Sequence, residues 1–499
     1  MTRGAGRAGQ RRDDICPVGR SLGQSDRSLQ AVKIQMNLQV IIAITMGMFV
    51  TNLDATIVNI AFPSMARQFE VGTDLIALVE LSYLVMICSL LPVFAKIGQR
   101  RGTAFVLRAG YVTFTVATLF CAAAPNLPLL IVARGLQGVG GAMLMAVGNA
   151  LIVTHVPEHA RGRAFGINTV LGAIGFAVGS PLGGLLTDQF GWRSVFVATI
   201  FPTVLGFALA RRRLSDGPPL PSRSSFDFAG ASGLFVGLSS LVLLFNQGMD
   251  QGAASAPALG PIVIGLIGFG AFVAAEKRAA DPIITLGVFR HAGVALGLYG
   301  GLACVVVLDG MFFIMPFFFQ QAQGYSVTNS GLLLGVFPLL AMVASPLAGW
   351  LVDRLNARLV SIGAGVIIIA GTLLFTFFSA TTSLAATLTA AAVLSVGISM
   401  FLPANTALVM SHTGVATATE LSALYSLTQS LGSAVGVACL EMAYSLGFRE
   451  GVASVPLMVE GFRRASWAAL VIALSLTIAS IALKTVRKSG NPDPPITRS

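Results

Sequence analysis

Uncharged stretches of twenty residues and more fill most of the sequence, and no other feature limits its fold as tightly. A hydrocarbon core about 30 Å thick takes roughly 20 apolar residues of helix to cross. Runs of that length lie between Lys33 and Asp54, Arg108 and Arg134, Arg163 and Asp188, Arg193 and Arg211, Asp227 and Asp250, and Arg464 and Lys484. Two longer ones must each hold at least two spans: Gly310–Val352 breaks at Gln320–Tyr325, and Leu359–Thr419 breaks near Ser379–Ser383. A soluble alternative is closed off by composition, since 55% of the chain is hydrophobic and only 11% charged. The predicted spans are 37–62, 75–95, 103–124, 128–154, 163–187, 192–210, 227–247, 257–276, 292–320, 330–352, 358–378, 384–410, 416–445 and 464–484. The fold class expected is an all-α polytopic membrane protein of about fourteen helices.

Loops rich in Lys and Arg stay cytoplasmic. With both termini inside, that side collects the basic first tail, Lys96, Arg100 and Arg101, Arg161 and Arg163, Arg211 to Arg213, Lys277 and Arg278, Arg354 and Arg358, and Lys484 to Lys488. The opposite side keeps Arg67, Arg193, Arg449, Arg463 and Arg464. The net charge of +11 therefore reads as topology, with some attraction to anionic lipid heads, and not as nucleic-acid binding. Cys16, Cys88, Cys121, Cys304 and Cys439 show no metal or disulfide spacing, and the four histidines fall at predicted helix ends without forming a metal pair. No phosphate loop with Gly-Lys-Ser/Thr occurs. Neither a cofactor nor enzymatic chemistry is expected.

Local patterns carry a resemblance. Asn52-Leu53-Asp54-Ala55-Thr56-Ile57-Val58-Asn59-Ile60-Ala61-Phe62-Pro63 resembles a signature of the fourteen-span drug:proton antiporters of the major facilitator superfamily. Ala133-Arg134-Gly135-Leu136-Gln137-Gly138-Val139-Gly140-Gly141-Ala142 is similar to that superfamily's intramembrane arginine motif. Gly175-Phe176-Ala177-Val178-Gly179-Ser180-Pro181-Leu182-Gly183-Gly184 is similar to its antiporter motif, with the proline one place late. Phe226 to Gly230 and Asn246 to Gly248 look like the extra helix pair of fourteen-span members. The segment Gly349-Trp350-Leu351-Val352-Asp353-Arg354-Leu355-Asn356-Ala357-Arg358 resembles the second-half gating loop. Its first-half counterpart, Ala95 to Gly102, carries Gln99 before Arg100 and Arg101, where the family usually has aspartate. The resemblance implies a major facilitator fold. Its parts are a basic disordered tail (1–36), a six-helix half (37–210), a linker (211–226), an accessory pair (227–276), a second linker (277–291), a second half (292–486) and a tail (487–499).

A charge at mid-membrane costs at least about 2.5–3.5 kcal/mol and is usually kept for function or paired. Asp54 and Arg134 lie at similar predicted depths. The expectation is that Asp54 takes up and releases a proton whose affinity Arg134 sets, against the alternative of a fixed structural ion pair. Asp309 is a second candidate for proton coupling, while Glu80 and Glu441 are expected at the interface or in water. Polar substrate contacts are sought at Asn59, Gln137, Asn168, Gln320, Gln321, Asn405 and Gln429, with helix-to-helix hydrogen bonds as the competing role. Of the phenylalanines crowding 312–319, Phe313 and Phe317 are the cavity candidates and lipid contact is expected for most. Gly175, Gly179 and Gly183 put small residues on one helix face for close packing. The function expected is proton-coupled export of small lipophilic molecules by a monomer in a bacterial inner membrane, in contact with lipids, substrate and protons. Export of one endogenous metabolite, or a non-transporting sensor altered at Gln99, are the alternatives.

Overall fold

The structure, a computed structural model, describes residues 22–215, part of 230–240, 256–278, 291–411, 418–446 and 454–483. The described residues are almost entirely helical. The first half comprises α1 (Leu22–Asn59), the short α2 (Phe62–Phe69), α3 (Thr73–Arg101), α4 (Thr103–Ala123), α5 (Leu127–His155), α6 (Glu158–Phe190) and α7 (Arg193–Arg213). After α8 (Ala256–Arg278) the second half comprises α9 (Ala292–Phe317), α10 (Val327–Arg354), α11 (Ala357–Thr376), α12 (Leu384–Met410), α13 (Ala418–Ser445) and α14 (Val455–Ala482). Eleven helices among the described residues are long and apolar enough to cross a membrane. Of the three other predicted spans, 227–247 and 416–445 fall partly outside the described residues, and 257–276 lies on α8.

Helix ends differ from expectation where charges served as boundaries. The chain is already helical from Leu22, where a disordered tail was expected, although the apolar span itself starts at Gln39. Helix α3 continues to Arg101 and turns into α4 through Gly102 alone, whose φ of 101° is open to glycine. Helix α14 starts at Val455 and not near 464, because Arg463 and Arg464 pair with Glu460 on its own surface. A helix can leave the bilayer without ending, so a charge marks the membrane boundary and not the helix boundary.

The two halves repeat one packing pattern. In the first, α1 packs on α6 and α7, α3 on α5, and α4 on α5 and α7. In the second, α9 packs on α13 and α14, α10 on α12, and α11 on α12 and α14. The halves meet along two seams, α6 with α10 and α3 with α13, which the same internal two-fold relates. Lipid tails are as apolar as leucine, so close backbone approach rather than hydrophobic burial drives such packing. The antiporter-motif glycines supply it. A Cβ on Gly175, Gly179 or Gly183 would strike α1, at 2.5 Å from the Phe49 carbonyl oxygen, 1.8 Å from Thr56 Oγ1 and 2.6 Å from the Ile57 carbonyl oxygen. One residue on, Gly184 faces the opposite seam, where a Cβ would lie 2.7 Å from the Val327 carbonyl oxygen, and a Cβ on Gly335 of α10 would lie 2.8 Å from the Pro181 ring.

Gly233 and Gly237 approach Gly268, Phe269 and Phe272 of α8 equally closely, so the described part of the accessory pair packs helix to helix. Phe312, Phe313, Phe317, Phe318 and Phe319 are all buried, at 5% exposure or less, which corrects the expectation of lipid contact. Helix α9 packs between α13 and α14 and against α2, so the surface around its phenylalanine-rich end meets protein. Cys88, Cys121 and Cys304 are buried free thiols.

Candidate functional site

Four helices of the first half bring their polar side chains to one point. Asp54 sits five residues before the end of α1, Glu80 in the second turn of α3, and Arg134 and Gln137 one turn apart on α5. The Arg134 Nη1 atom donates to Asp54 Oδ2 at 2.6 Å and to Gln137 Oε1 at 2.8 Å, and Nη2 donates to Glu80 Oε2 at 2.8 Å. Gln137 Nε2 closes the ring by donating to Asp54 Oδ1 at 2.8 Å and to Thr118 Oγ1 of α4 at 3.0 Å. The guanidinium also lies 4.3 Å from the centre of the Tyr83 ring. Asp54, Arg134 and Gln137 are wholly buried and Glu80 is 6% exposed.

Glu80 therefore stands inside the cluster and not at the interface, and Glu441, also expected at the interface or in water, is buried, accepting from Thr73 Oγ1 at 3.1 Å. Glu80 is turned inward by the packing of α3 on α5 and Glu441 lies on the α3–α13 seam, contacts that a span-by-span reading cannot locate. The cluster's charges do not balance: one guanidinium faces two carboxylates, leaving one net negative charge when both are ionised. A buried net charge costs several kcal/mol, and a single proton removes it. Asp309 on α9 is half-buried and close enough to Glu80 for their charges to interact.

A cavity of about 900 Å³ is lined mostly by the second half and includes none of the cluster's residues. Thr169 and Phe176 of α6 form one wall, and residues of α9, α10, α12 and Gln429 of α13 form the rest. Along α10 it extends from Phe337 to Ser345 and along α12 from Ser395 to Ala407. Both directions lead toward the end of the molecule that carries Arg100, Arg101, Arg354 and Arg358. There Gln99 and Arg101 are exposed and Arg100 is half-buried. Asp353 is exposed, Arg354 stacks on Trp350 at 4.2 Å, and Arg358 donates to the Ile481 carbonyl.

The opposite end is closed. Thr328, in the first turn of α10, gives its backbone N–H (2.8 Å) and its hydroxyl (2.5 Å) to Asp188 near the end of α6. The two-fold equivalent is Thr73, first residue of α3, donating to Glu441 near the end of α13. Gln320 Nε2 donates to the Ile60 carbonyl at 3.0 Å, and Phe62 packs on Phe313 with ring centres 5.5 Å apart. A hydrogen bond to a charged group contributes about 1.5–3 kcal/mol. Replacing Asp188 by asparagine and Glu441 by glutamine together is expected to raise the population open at this end by at least about tenfold. Spin-label distances across the end check this, and an unchanged distance distribution would show the two contacts to be incidental.

Of the predicted substrate contacts, Gln429 lines the cavity and Asn168 is half-buried beside Thr169. The structure places the others elsewhere. Phe313, Phe317 and Gln320 lie in the closed end, Gln137 belongs to the charged cluster, and Asn405 donates to the Gly297 carbonyl and to Tyr425 Oη. Asn59 is 5% exposed at the end of α1, its Oδ1 without a hydrogen-bond partner. Sequence reading missed the serine and threonine hydroxyls of the cavity wall. On a membrane helix such residues commonly bond their own backbone and look like neutral filler.

Comparison with known proteins bears on this geometry. A family model described as Major Facilitator Superfamily matches residues 44–437. Over 404 residues the chain is 31% identical to the multidrug resistance protein Stp of Mycobacterium tuberculosis, covering 81% of this chain and 75% of that one. It is 29% identical over 319 residues to the riboflavin transporter RibZ of Clostridioides difficile, covering 64% and 69%. A crystal structure of a bacterial homologue of the human lysosomal transporter Spinster, inward-facing and unoccupied, superposes with a TM-score of 0.65 at 14% identity over 90% of this chain and 98% of that one.

Proposed function

The chain belongs to the Major Facilitator Superfamily, and from that membership we propose that it exports small, lipophilic molecules across a bacterial inner membrane in exchange for protons. It is a multi-pass membrane transporter, not an enzyme. The relatives named for multidrug resistance support a drug-like substrate, and the riboflavin transporter supports the second reading, export of one endogenous metabolite. The observation that carries proton coupling is the buried cluster of Arg134, Asp54 and Glu80, whose charges balance only when a proton is present.

Mechanistically, the repeated halves rock about the seams α6–α10 and α3–α13. The arginine-bearing end faces the cytoplasm, as the excess of positive charge there supports, so the cavity opens inward in this state. A proton bound at the Asp54–Glu80 pair from outside and released inside drives the cycle. One proton moving down a proton-motive force of about 150 mV releases roughly 3.5 kcal/mol, enough for a gradient of a few hundred-fold in a neutral substrate. The protein works as a monomer among membrane lipids.

The test is substrate-evoked proton movement in proteoliposomes of the native chain under an imposed pH gradient. Substrate accumulation that follows the gradient and collapses with a protonophore is expected. Accumulation indifferent to both the pH gradient and the membrane potential would remove proton coupling.

A further inference from the structure

The cavity holds no formal charge among the described residues. Its wall combines Phe176 and Phe337 with aliphatic side chains, hydroxyls and one amide, Gln429. Asp54 and Glu80 are paired with Arg134, and Asp309, next in sequence to the wall residue Leu308, is not itself part of the wall. Four of the five wall hydroxyls share a second property. Thr169, Ser345, Ser395 and Thr406 each give their hydrogen to a backbone carbonyl, of Phe165 (3.0 Å), Ser399 (3.1 Å), Phe337 (2.6 Å) and Leu402 (2.8 Å) respectively. A hydroxyl whose hydrogen is so engaged offers a ligand only lone pairs. The wall is therefore apolar, uncharged and richer in acceptors than in donors, with the Ser399 hydroxyl and the Gln429 amide as the groups among the described residues that can both donate and accept.

We propose that this cavity takes an uncharged amphiphile carrying hydrogen-bond donors, and that it disfavours lipophilic cations. The proposal rests on the transport reading above and names the substrate class of the same site. The magnitudes decide it. An ion carried into a dry, charge-free cavity loses several kcal/mol of hydration when the halves close over it. The two phenylalanine faces return only a small part of that loss by cation–π attraction. A neutral body with N–H or O–H groups loses far less, and its donors meet the four engaged hydroxyls. An electrical consequence follows: exchanging a neutral molecule for a proton moves one charge per proton, so flux responds to membrane potential as well as to the pH gradient.

Equilibrium binding to the full chain in nanodiscs tests the inference, with chloramphenicol as the neutral, donor-bearing probe and tetraphenylphosphonium as the donor-free cation. Chloramphenicol is expected to bind the native protein at least about tenfold more tightly. Gln429→Glu, which places a carboxylate in the wall, is expected to invert that order, and the near-isosteric Thr406→Val to weaken chloramphenicol several-fold while leaving the cation unchanged. Thermal midpoints of the three proteins establish that each is folded. Tetraphenylphosphonium binding the native chain as well as chloramphenicol does, or neither probe binding, overturns the inference without touching proton-coupled transport. Chloramphenicol bound in the expected order but evoking no flux overturns the transport reading and leaves the cavity's chemistry standing.

Discussion

Replacing Arg134 by leucine is expected to lower stability by about 3–5 kcal/mol and to abolish transport. The guanidinium is the hub of the first half: it binds Asp54, Glu80 and Gln137 at 2.6–2.8 Å and covers the Tyr83 ring. Leucine fills part of the volume but leaves two carboxylates with no cation at a site closed to water, and breaking a buried pair from one side costs in this range because an uncompensated charge remains. The size of the loss can be apportioned. Adding Asp54→Asn and Glu80→Gln to Arg134→Leu removes the stranded charges, so the triple variant is expected to recover most of the lost thermal stability while staying inactive. Arg134→Lys is expected to fall between, since an ammonium cannot hold both carboxylates and the amide in the guanidinium's planar fork. Thermal unfolding in lipid nanodiscs measures all three. A single variant as stable as the native chain would mean that Asp54 and Glu80 are already neutral and the arginine adds little.

Part of this site was legible without coordinates and part was not, for identifiable reasons. Asp54 and Arg134 stand out because a charge inside an apolar run is costly enough to need a partner, and their depths can be counted along their own helices. Glu80 escaped that logic. It lies near the start of α3, where a carboxylate would ordinarily reach water, and only the packing of α3 on α5 turns it inward onto Arg134. The phenylalanines of 312–319 misled in the opposite direction. An apolar helix reads identically whether lipid or protein surrounds it, so nothing local to α9 says that it sits in the middle of the bundle. The glycines of α6 were read correctly as a packing face, but the division of labour between Gly179, against α1, and Gly184, against α10, needs both neighbours to be placed.

The place and order of the eleven spans among the described residues were legible because the hydrocarbon thickness imposes a length on every span. Helix ends were not, because α3 and α14 run on past the bilayer under no such constraint. The cavity was the least accessible element. Its wall is assembled from residues far apart in sequence, Thr169, Ser345, Ser395, Thr406 and Gln429, each unremarkable alone. The shared character of the two serines and two threonines among them, a hydroxyl that gives its hydrogen to a backbone carbonyl, exists only once the backbone acceptors are known.

Asp54→Asn and Glu80→Gln, made singly, are each expected to reduce proton-driven transport by at least about a hundredfold, and by similar amounts. The equality comes from charge counting. With one arginine and two carboxylates the cluster carries one net negative charge that a proton can neutralise. Removing either carboxylate leaves a balanced pair with Arg134, which has no net charge to offer a proton and no reason to release its partner when the halves rearrange. Each variant is thus expected to bind substrate, because neither residue lines the cavity, and to equilibrate it down its own gradient without pumping. Counterflow of labelled substrate, which needs alternation but no net proton movement, should survive in both while uphill accumulation is lost. Unequal outcomes would redraw the site. If Glu80→Gln still pumps while Asp54→Asn does not, Asp54 alone carries the proton and Glu80 is a fixed counter-charge for Arg134. If both still pump, the proton travels on another carboxylate, and Asp309, the charged group of α9 nearest to this cluster's field, becomes the residue to replace next.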